Sequence, residues 1–266
     1  MVPPVVIQLT RDSDTSIDDE SCETIARALG KQLARDVAPI HGLVPAVEYV
    51  PPGGALEDAA CIARIQRVSD TPGAAAYHDL DSKGRAFVRA FEDSTNGWLA
   101  GPESLAAALS HEFCEVVGDA TANLWADGPR GVSHALELCD ATQGDTYEID
   151  DVTVANFLYP AYFGLHAPKH TRFDHLGLIR KPFETRKGGY QIVRAAPGRV
   201  QEVFGGHNAM VNMHCMKGYG DREVWTLFGA DYGLERRREV LTKLHRTKKR
   251  RLGKEDYSVL DAGESD

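Results

Sequence analysis

The sequence predicts an α+β fold in which a mixed sheet is backed by helices and is followed by a β-rich C-terminal part. Strand-like and helical segments alternate over residues 1–125, which favours helices layered on a sheet. Short alternating segments, separated by turn sequences, occupy residues 125–163. We therefore expect three parts, namely 1–125 with the sheet and its helices, 126–205 with further strands, and an appendage over 206–266.

The first two elements are a strand and a long amphipathic helix. Residues 5–9 form a short apolar run that is typical of a strand. Asp18 or Asp19 can cap a helix, and Pro39 is expected to end it. Apolar residues recur every four positions between these points, as one helix face requires, at Ile25, Leu29, Leu33 and Val37.

Four strands are expected next. Residues 46–50 and 61–68 have strand-like patterns. Residues 74–80 and 85–91 flank the turn sequence Asp-Ser-Lys-Gly at 81–84. This spacing predicts a β-hairpin with a short loop that contains glycine.

A second helix follows the hairpin. Pro102 suits its first turn, and Gly118 is a typical C-terminal stop.

Further along the chain, residues 188–193 are expected to form a strand. Residues 235–252 have the composition of a basic helix, and 262–266 are expected to be disordered.

Charge is unevenly distributed along the chain. Residues 235–266 hold 10 basic and 7 acidic side chains, whereas the rest holds 20 basic and 32 acidic ones. An acidic body argues against nucleic acid as the main ligand, because phosphate binding needs a basic face. Contact with nucleic acid or with an acidic partner is expected only through the basic tail at 236–254.

The N-terminal residues resemble no secretory signal, and no apolar run reaches the roughly 18 residues of a membrane span. The five cysteines form no CxxC pair, which is typical of reduced thiols. These features predict a cytoplasmic protein, with association with a virion or phage as the alternative.

The segment Ser110-His111-Glu112-Phe113-Cys114-Glu115 carries the main functional signal. Residues four apart on a helix share a face and lie about 6 Å apart along its axis, so His111 and Glu115 can bind one ion together. Imidazole nitrogen and carboxylate oxygen are both zinc ligands. The apolar run at 105–109 predicts that this helix is buried, where a histidine and two glutamates need partners or a metal.

The pattern His111-Glu112-x-x-Glu115-x-x-Gly118 is similar to the opening of the metzincin signature, HExxHxxG. The order of elements over about 5–125 also resembles the N-terminal layout of zincin peptidases. This resemblance implies a Zn²⁺ ion, Glu112 as the general base, and a cleft-rim strand near 73–78 that pairs with an extended peptide. The C-terminal part, 126–205, would complete the cleft. The chain to about residue 205 is also similar to uncharacterised bacterial and phage-associated proteins that carry an SHExxE helix.

Two features depart from the peptidase pattern. Glu115 replaces the second histidine, and the metzincin third ligand would fall on Thr121, a poor ligand. The third ligand must therefore come from elsewhere. Glu137 is favoured, Asp119 is an alternative if the helix breaks at Gly118, and Asp140 and His134 are further candidates.

Two functions remain open from the sequence. The first is a zinc-dependent hydrolase, most readily a metallopeptidase, in which His111, Glu115 and Glu137 hold Zn²⁺ and Glu112 deprotonates a water molecule. The second is a catalytically inactive zincin-like protein that acts in binding or assembly and is phage-related. The exchange of histidine for Glu115 and the basic appendage both favour the second.

Overall fold

The N-terminal half of the chain forms a five-stranded mixed sheet. The structure is a computed structural model that describes residues 5–43, 45–56, 59–195 and 199–205, with short strands at 210–211 and 223–225. The sheet has the strand order β2-β1-β3-β5-β4. Its members are β1 (Val6–Arg11), β2 (Ala46–Tyr49), β3 (Cys61–Gln66), β4 (Ala76–Leu80) and β5 (Ala86–Phe91). The sheet and its helices confirm the predicted α+β class.

Three of the four strand pairings in this sheet are parallel, and the fourth is antiparallel. β1 pairs in parallel with β2 and β3, and β3 pairs in parallel with β5. Strand β4 lies at the edge and runs antiparallel to β5. The predicted hairpin is therefore confirmed, and its loop contains Gly84 with φ +75°, a left-handed conformation that glycine adopts without strain.

Helix α1 (Asp19–Gln32) begins where the sequence predicts, because the Asp18 side chain accepts a hydrogen bond from the backbone N–H of Ser21. The predicted end at Pro39 is wrong. The helical backbone continues through a π-helical turn, Leu33–Val37, into α2 (Ala38–His41). Pro39 lies in the first turn of α2, directly after the π-helical turn, where the helical hydrogen-bond pattern changes.

Helix α3 (Leu105–Asp119) carries the HExxE segment and packs against β4 and β5. It begins three residues after Pro102, because the Ser104 side chain accepts the N–H of Ala107 and caps it. Helix α3 ends at Asp119, one residue after the predicted end, but Gly118 is not its C-terminal stop. Gly118 lies inside α3, and a Cβ atom there would come within 2.6 Å of Leu138 Cγ. The glycine therefore serves close packing rather than termination.

The remaining strands form a second sheet and a separate hairpin, so the predicted β-rich C-terminal part is confirmed. The six-stranded sheet has the order β12-β11-β10-β7-β6-β13. Its strands are β6 (Leu124–Asp127), β7 (Ser133–Ala135), β10 (Tyr190–Ala195), β11 (Arg199–Phe204), β12 (Met210–Val211) and β13 (Glu223–Trp225), and the hairpin consists of β8 (Thr146–Ile149) and β9 (Val152–Ala155).

Two strands of the second sheet, β12 and β13, come from the predicted appendage and pair with β11 and β6. The predicted basic helix at 235–252 and the predicted disordered end at 262–266 lie outside the described residues. Within the described part of the chain, no helix combines the length and the apolar character that crossing a bilayer requires.

Candidate metal centre

A buried hydrogen-bond network fixes the position of α3 at the start of the HExxE segment. Ser110 Oγ donates to Gln32 Oε1 of α1 over 2.7 Å and accepts the backbone N–H of Ala155 over 2.8 Å. Gln32 Nε2 donates to the Ala155 carbonyl over 2.9 Å. Ser110 thus joins α3 to both α1 and β9. These hydrogen bonds fix the rotation of α3 about its own axis, and with it the direction of the side chains that follow Ser110.

Three donor atoms converge beside that face. His111 Nε2 lies 3.1 Å from Glu115 Oε1 and 3.2 Å from Asp140 Oδ1. The ligand atoms of these three residues all lie within 4.8 Å of one another. Tetrahedral zinc with bonds near 2.0–2.1 Å needs ligand atoms about 3.3 Å apart, and nitrogen with two carboxylates is a donor set that zinc accepts. The distances from His111 Nε2 to the other two ligand atoms are therefore compatible with a zinc ion.

Asp140 reaches the group from a loop. It begins a short 3₁₀ turn, Asp140–Thr142, shortly after β7, and the N–H of Cys139 donates to Glu115 Oε1 over 3.2 Å. This contact ties the loop to α3 and brings Asp140 opposite His111. The sequence named Asp140 only as one of several candidates, because its position depends on the path of the loop.

A second group of donors lies on the other side of Glu115. His78 Nδ1 lies 2.9 Å from Glu112 Oε2 and 3.5 Å from Glu115 Oε2. His78 belongs to β4, and its ligand atom and those of Glu112 and Glu115 also lie within 4.8 Å of one another. Glu115 therefore belongs to both groups.

Sequence reasoning placed His78 only in a substrate-pairing strand and missed it as a site residue. Strand alternation puts Ala76, His78 and Leu80 on one face of β4, where the histidine interrupts an apolar pattern. That interruption was the available signal. It does not say what the imidazole faces, because the contact with α3 is made across 34 residues of sequence.

In the cluster formed by the two groups of donors, burial and the surrounding carboxylates shift the pKa values of His78, His111 and Glu115. Burial lowers the pKa of His78, but its hydrogen bond with Glu112 and the nearby negative charges outweigh burial and raise it to about 10. The pKa of His111 is raised for the same reason, chiefly by the charge of Glu115 against the effect of burial. Burial raises the pKa of Glu115 to about 8. The cluster therefore favours additional positive charge, which protons or metal ions can supply.

Glu137, the favoured third ligand from the sequence, lies near His78 and outside the group formed by His111, Glu115 and Asp140. Its Oε2 is 3.9 Å from His78 Nε2. Glu137 follows β7 in an extended loop, beyond the strand alternation that was used to predict its orientation. Glu137 therefore lies close to the three candidate ligands, but on the side of His78.

Asp119 and His134 have other partners. Asp119 accepts hydrogen bonds from the backbone N–H groups of Thr121, Asn123 and Leu124, so it holds the turn that follows α3. The ring of His134 lies 2.5 Å from Gln191 Oε1, and burial lowers its pKa to about 4. Neither belongs to the two groups of candidate ligands.

A small cavity lies beside Glu137 and Asp140. It has room for about one water molecule, and Tyr162 also lines it. The Tyr162 hydroxyl is buried and has no hydrogen-bond partner among the described residues. A polar group left in this condition is costly.

Comparisons of the chain with protein-family models, with curated proteins and with solved structures gave no match.

Proposed function

We propose that this protein is a zinc-dependent hydrolase that acts on peptide bonds. The observation that carries the proposal is the convergence of His111 Nε2, Glu115 Oε1 and Asp140 Oδ1 within 4.8 Å, next to the carboxylate of Glu112. These three residues would hold the ion. A bound zinc ion would lower the pKa of a water molecule and polarise a substrate carbonyl.

Glu112 would accept the proton of the attacking water. It lies one residue after His111 on α3, and its side chain is 8% exposed. Its hydrogen bond with His78 fixes the carboxylate beside the three donors. A carboxylate that is positioned in this way can receive a proton and return it to the leaving amine.

The edge of the first sheet offers a position for the substrate. Within the described residues, strand β4 pairs with β5 along one side only. It carries His78, which contacts Glu112 in the candidate metal centre. An extended peptide can add to such an edge through main-chain hydrogen bonds, with its side chains in alternating pockets. This arrangement would bring a peptide carbonyl close to α3.

The Tyr162 hydroxyl would stabilise the transition state. Its O–H is buried and unpaired among the described residues, and Tyr162 is one of the residues that line the cavity beside Glu137 and Asp140. A donor of this kind can stabilise the negative charge that develops on the carbonyl oxygen.

A cytoplasmic location is part of this proposal, because the four cysteines that the structure describes are free and buried.

The test is turnover of a peptide library by the protein loaded with one equivalent of zinc. We expect Glu112→Gln to lose at least 100-fold in rate, as loss of a general base does, while zinc stays bound at His111. Glu103→Gln, an exposed glutamate just before α3, is the matched control and should retain full activity. Equal turnover by wild type and Glu112→Gln would refute the mechanism. Zinc binding with no turnover of any peptide by wild type would favour a non-catalytic binding protein instead.

A further inference from the structure

The carboxylate of Glu115 lies between two histidines. Its Oε1 is 3.1 Å from His111 Nε2, and its Oε2 is 3.5 Å from His78 Nδ1. The two oxygens of one side chain therefore belong to two different sets of donors. A carboxylate in this position can bridge two cations, and two-metal sites hold their ions about 3.5–4 Å apart.

The surroundings of His78 are those of a ligating histidine. Its side chain is 5% exposed, and Nδ1 faces Glu112 and Glu115. Its Nε2 is buried, makes no hydrogen bond to any described residue and lies 3.9 Å from Glu137 Oε2. A histidine that binds a metal through one ring nitrogen usually directs the other towards a carboxylate. For His78, Glu137 is the carboxylate on the side of the other ring nitrogen, Nε2.

The charge of the cluster favours more than one cation. Two imidazoles are surrounded by four carboxylate side chains, each at most 8% exposed: Glu112, Glu115, Glu137 and Asp140. The ion pairs that Glu112, Glu115 and Asp140 form with described residues are all with His78 or His111. With both imidazoles neutral, one divalent ion would leave two negative charges in a buried site, which is costly. Two divalent ions would balance four carboxylates with both imidazoles neutral.

We propose that the centre binds a second divalent transition-metal cation through His78 Nδ1, Glu112 and Glu115 Oε2, with Glu115 bridging the two ions. Nitrogen and carboxylate donors of this kind suit zinc and manganese. The proposal rests on the proposed function, since the first ion at His111 defines one side of the bridge. In the two-ion form Glu112 is a ligand, so its role as proton acceptor belongs to the form with one ion.

The test counts zinc ions in the full-length protein. The chain is stripped with a chelator, equilibrated with Zn²⁺, separated from free metal by gel filtration and measured by mass spectrometry. We expect two ions per wild-type chain and one per His78→Ala chain. His166→Ala removes an exposed histidine and is the matched control, for which we expect two ions.

Each result separates the two proposals. One ion in both wild type and His78→Ala would overturn the second site and leave the proposed function standing. Two ions in both would place the second ion elsewhere and also overturn it. No ion in wild type would overturn the proposed function together with this inference.

A measurement on the wild type covers the case in which His78→Ala does not fold. Manganese replaces zinc, and electron paramagnetic resonance is recorded as the ion is added. A carboxylate bridge couples the two spins, so the second equivalent should reduce the signal of isolated Mn²⁺. A signal that grows in proportion to two bound equivalents would overturn the bridge.

Discussion

The contact between Gly118 and Leu138 links the packing of α3 to the loop that carries Glu137 and Asp140. A Cβ at position 118 would lie 2.6 Å from Leu138 Cγ and 2.8 Å from its Cδ1, and both glycine and leucine are buried. Overpacking of this kind costs about 1–3 kcal/mol. Replacing a helical glycine with alanine returns up to about 1 kcal/mol through helix propensity.

Gly30→Ala separates these two contributions. Gly30 lies in α1, and a Cβ there would be 3.8 Å from Val47 Cβ, which is ordinary contact. We expect Gly30→Ala to keep or raise stability by up to about 1 kcal/mol. Gly118→Ala should be about 1–3 kcal/mol less stable than Gly30→Ala, because the two differ mainly in the contact with Leu138.

Urea denaturation of the two variants measures this difference. Gly118→Ala should also bind zinc more weakly, because displacement of Leu138 moves its neighbours Glu137 and Cys139, and the Cys139 N–H donates to Glu115. Leu138→Ala in the Gly118→Ala background makes room for the Cβ and should recover part of the loss. Equal shifts in stability for Gly118→Ala and Gly30→Ala would refute the reasoning.

Two further predictions concern single side chains near the centre. Burial lowers the pKa of His134 to about 4 in the folded state, against about 6.5 when unfolded. The unfolded chain therefore binds more protons between these values, so stability falls by about 2–3 kcal/mol as the pH is lowered from 6.5 to 4. His134→Gln should show a shallower decline in thermal denaturation scans, and an unchanged slope would contradict this account. Tyr162→Phe removes only the hydroxyl, so we expect kcat on a peptide substrate to fall at least 10-fold with little change in KM; an unaltered kcat would exclude the hydroxyl from catalysis.

Local patterns predicted most of the elements, because strand alternation and helical periodicity depend on neighbours in sequence. The same holds for His111 and Glu115, which one helix places on one face. The contributions of His78 and Asp140 depend instead on strand pairing and on the path of a loop, which bring residues together from distant parts of the chain. No single-element pattern contains that information.

Pro39 and Gly118 were both expected to stop a helix, and neither does. That expectation came from their preferences in isolated helices, whereas a π-helical turn decides the first position and packing decides the second. Pro39 is accommodated because a π-helical turn lets a new helical segment begin at Ala38. Gly118 is required by the approach of Leu138 to α3, so the residue that was expected to end the helix allows it to pack.

The central claim is that His111, Glu115 and Asp140 bind a metal ion. Crystals of the full-length protein grown with Zn²⁺ and measured on both sides of the zinc absorption edge test it most directly. We predict an anomalous peak at bonding distance, about 2.0–2.2 Å, from His111 Nε2, Glu115 Oε1 and Asp140 Oδ1. A zinc-saturated crystal with no anomalous peak among these three side chains would contradict the account.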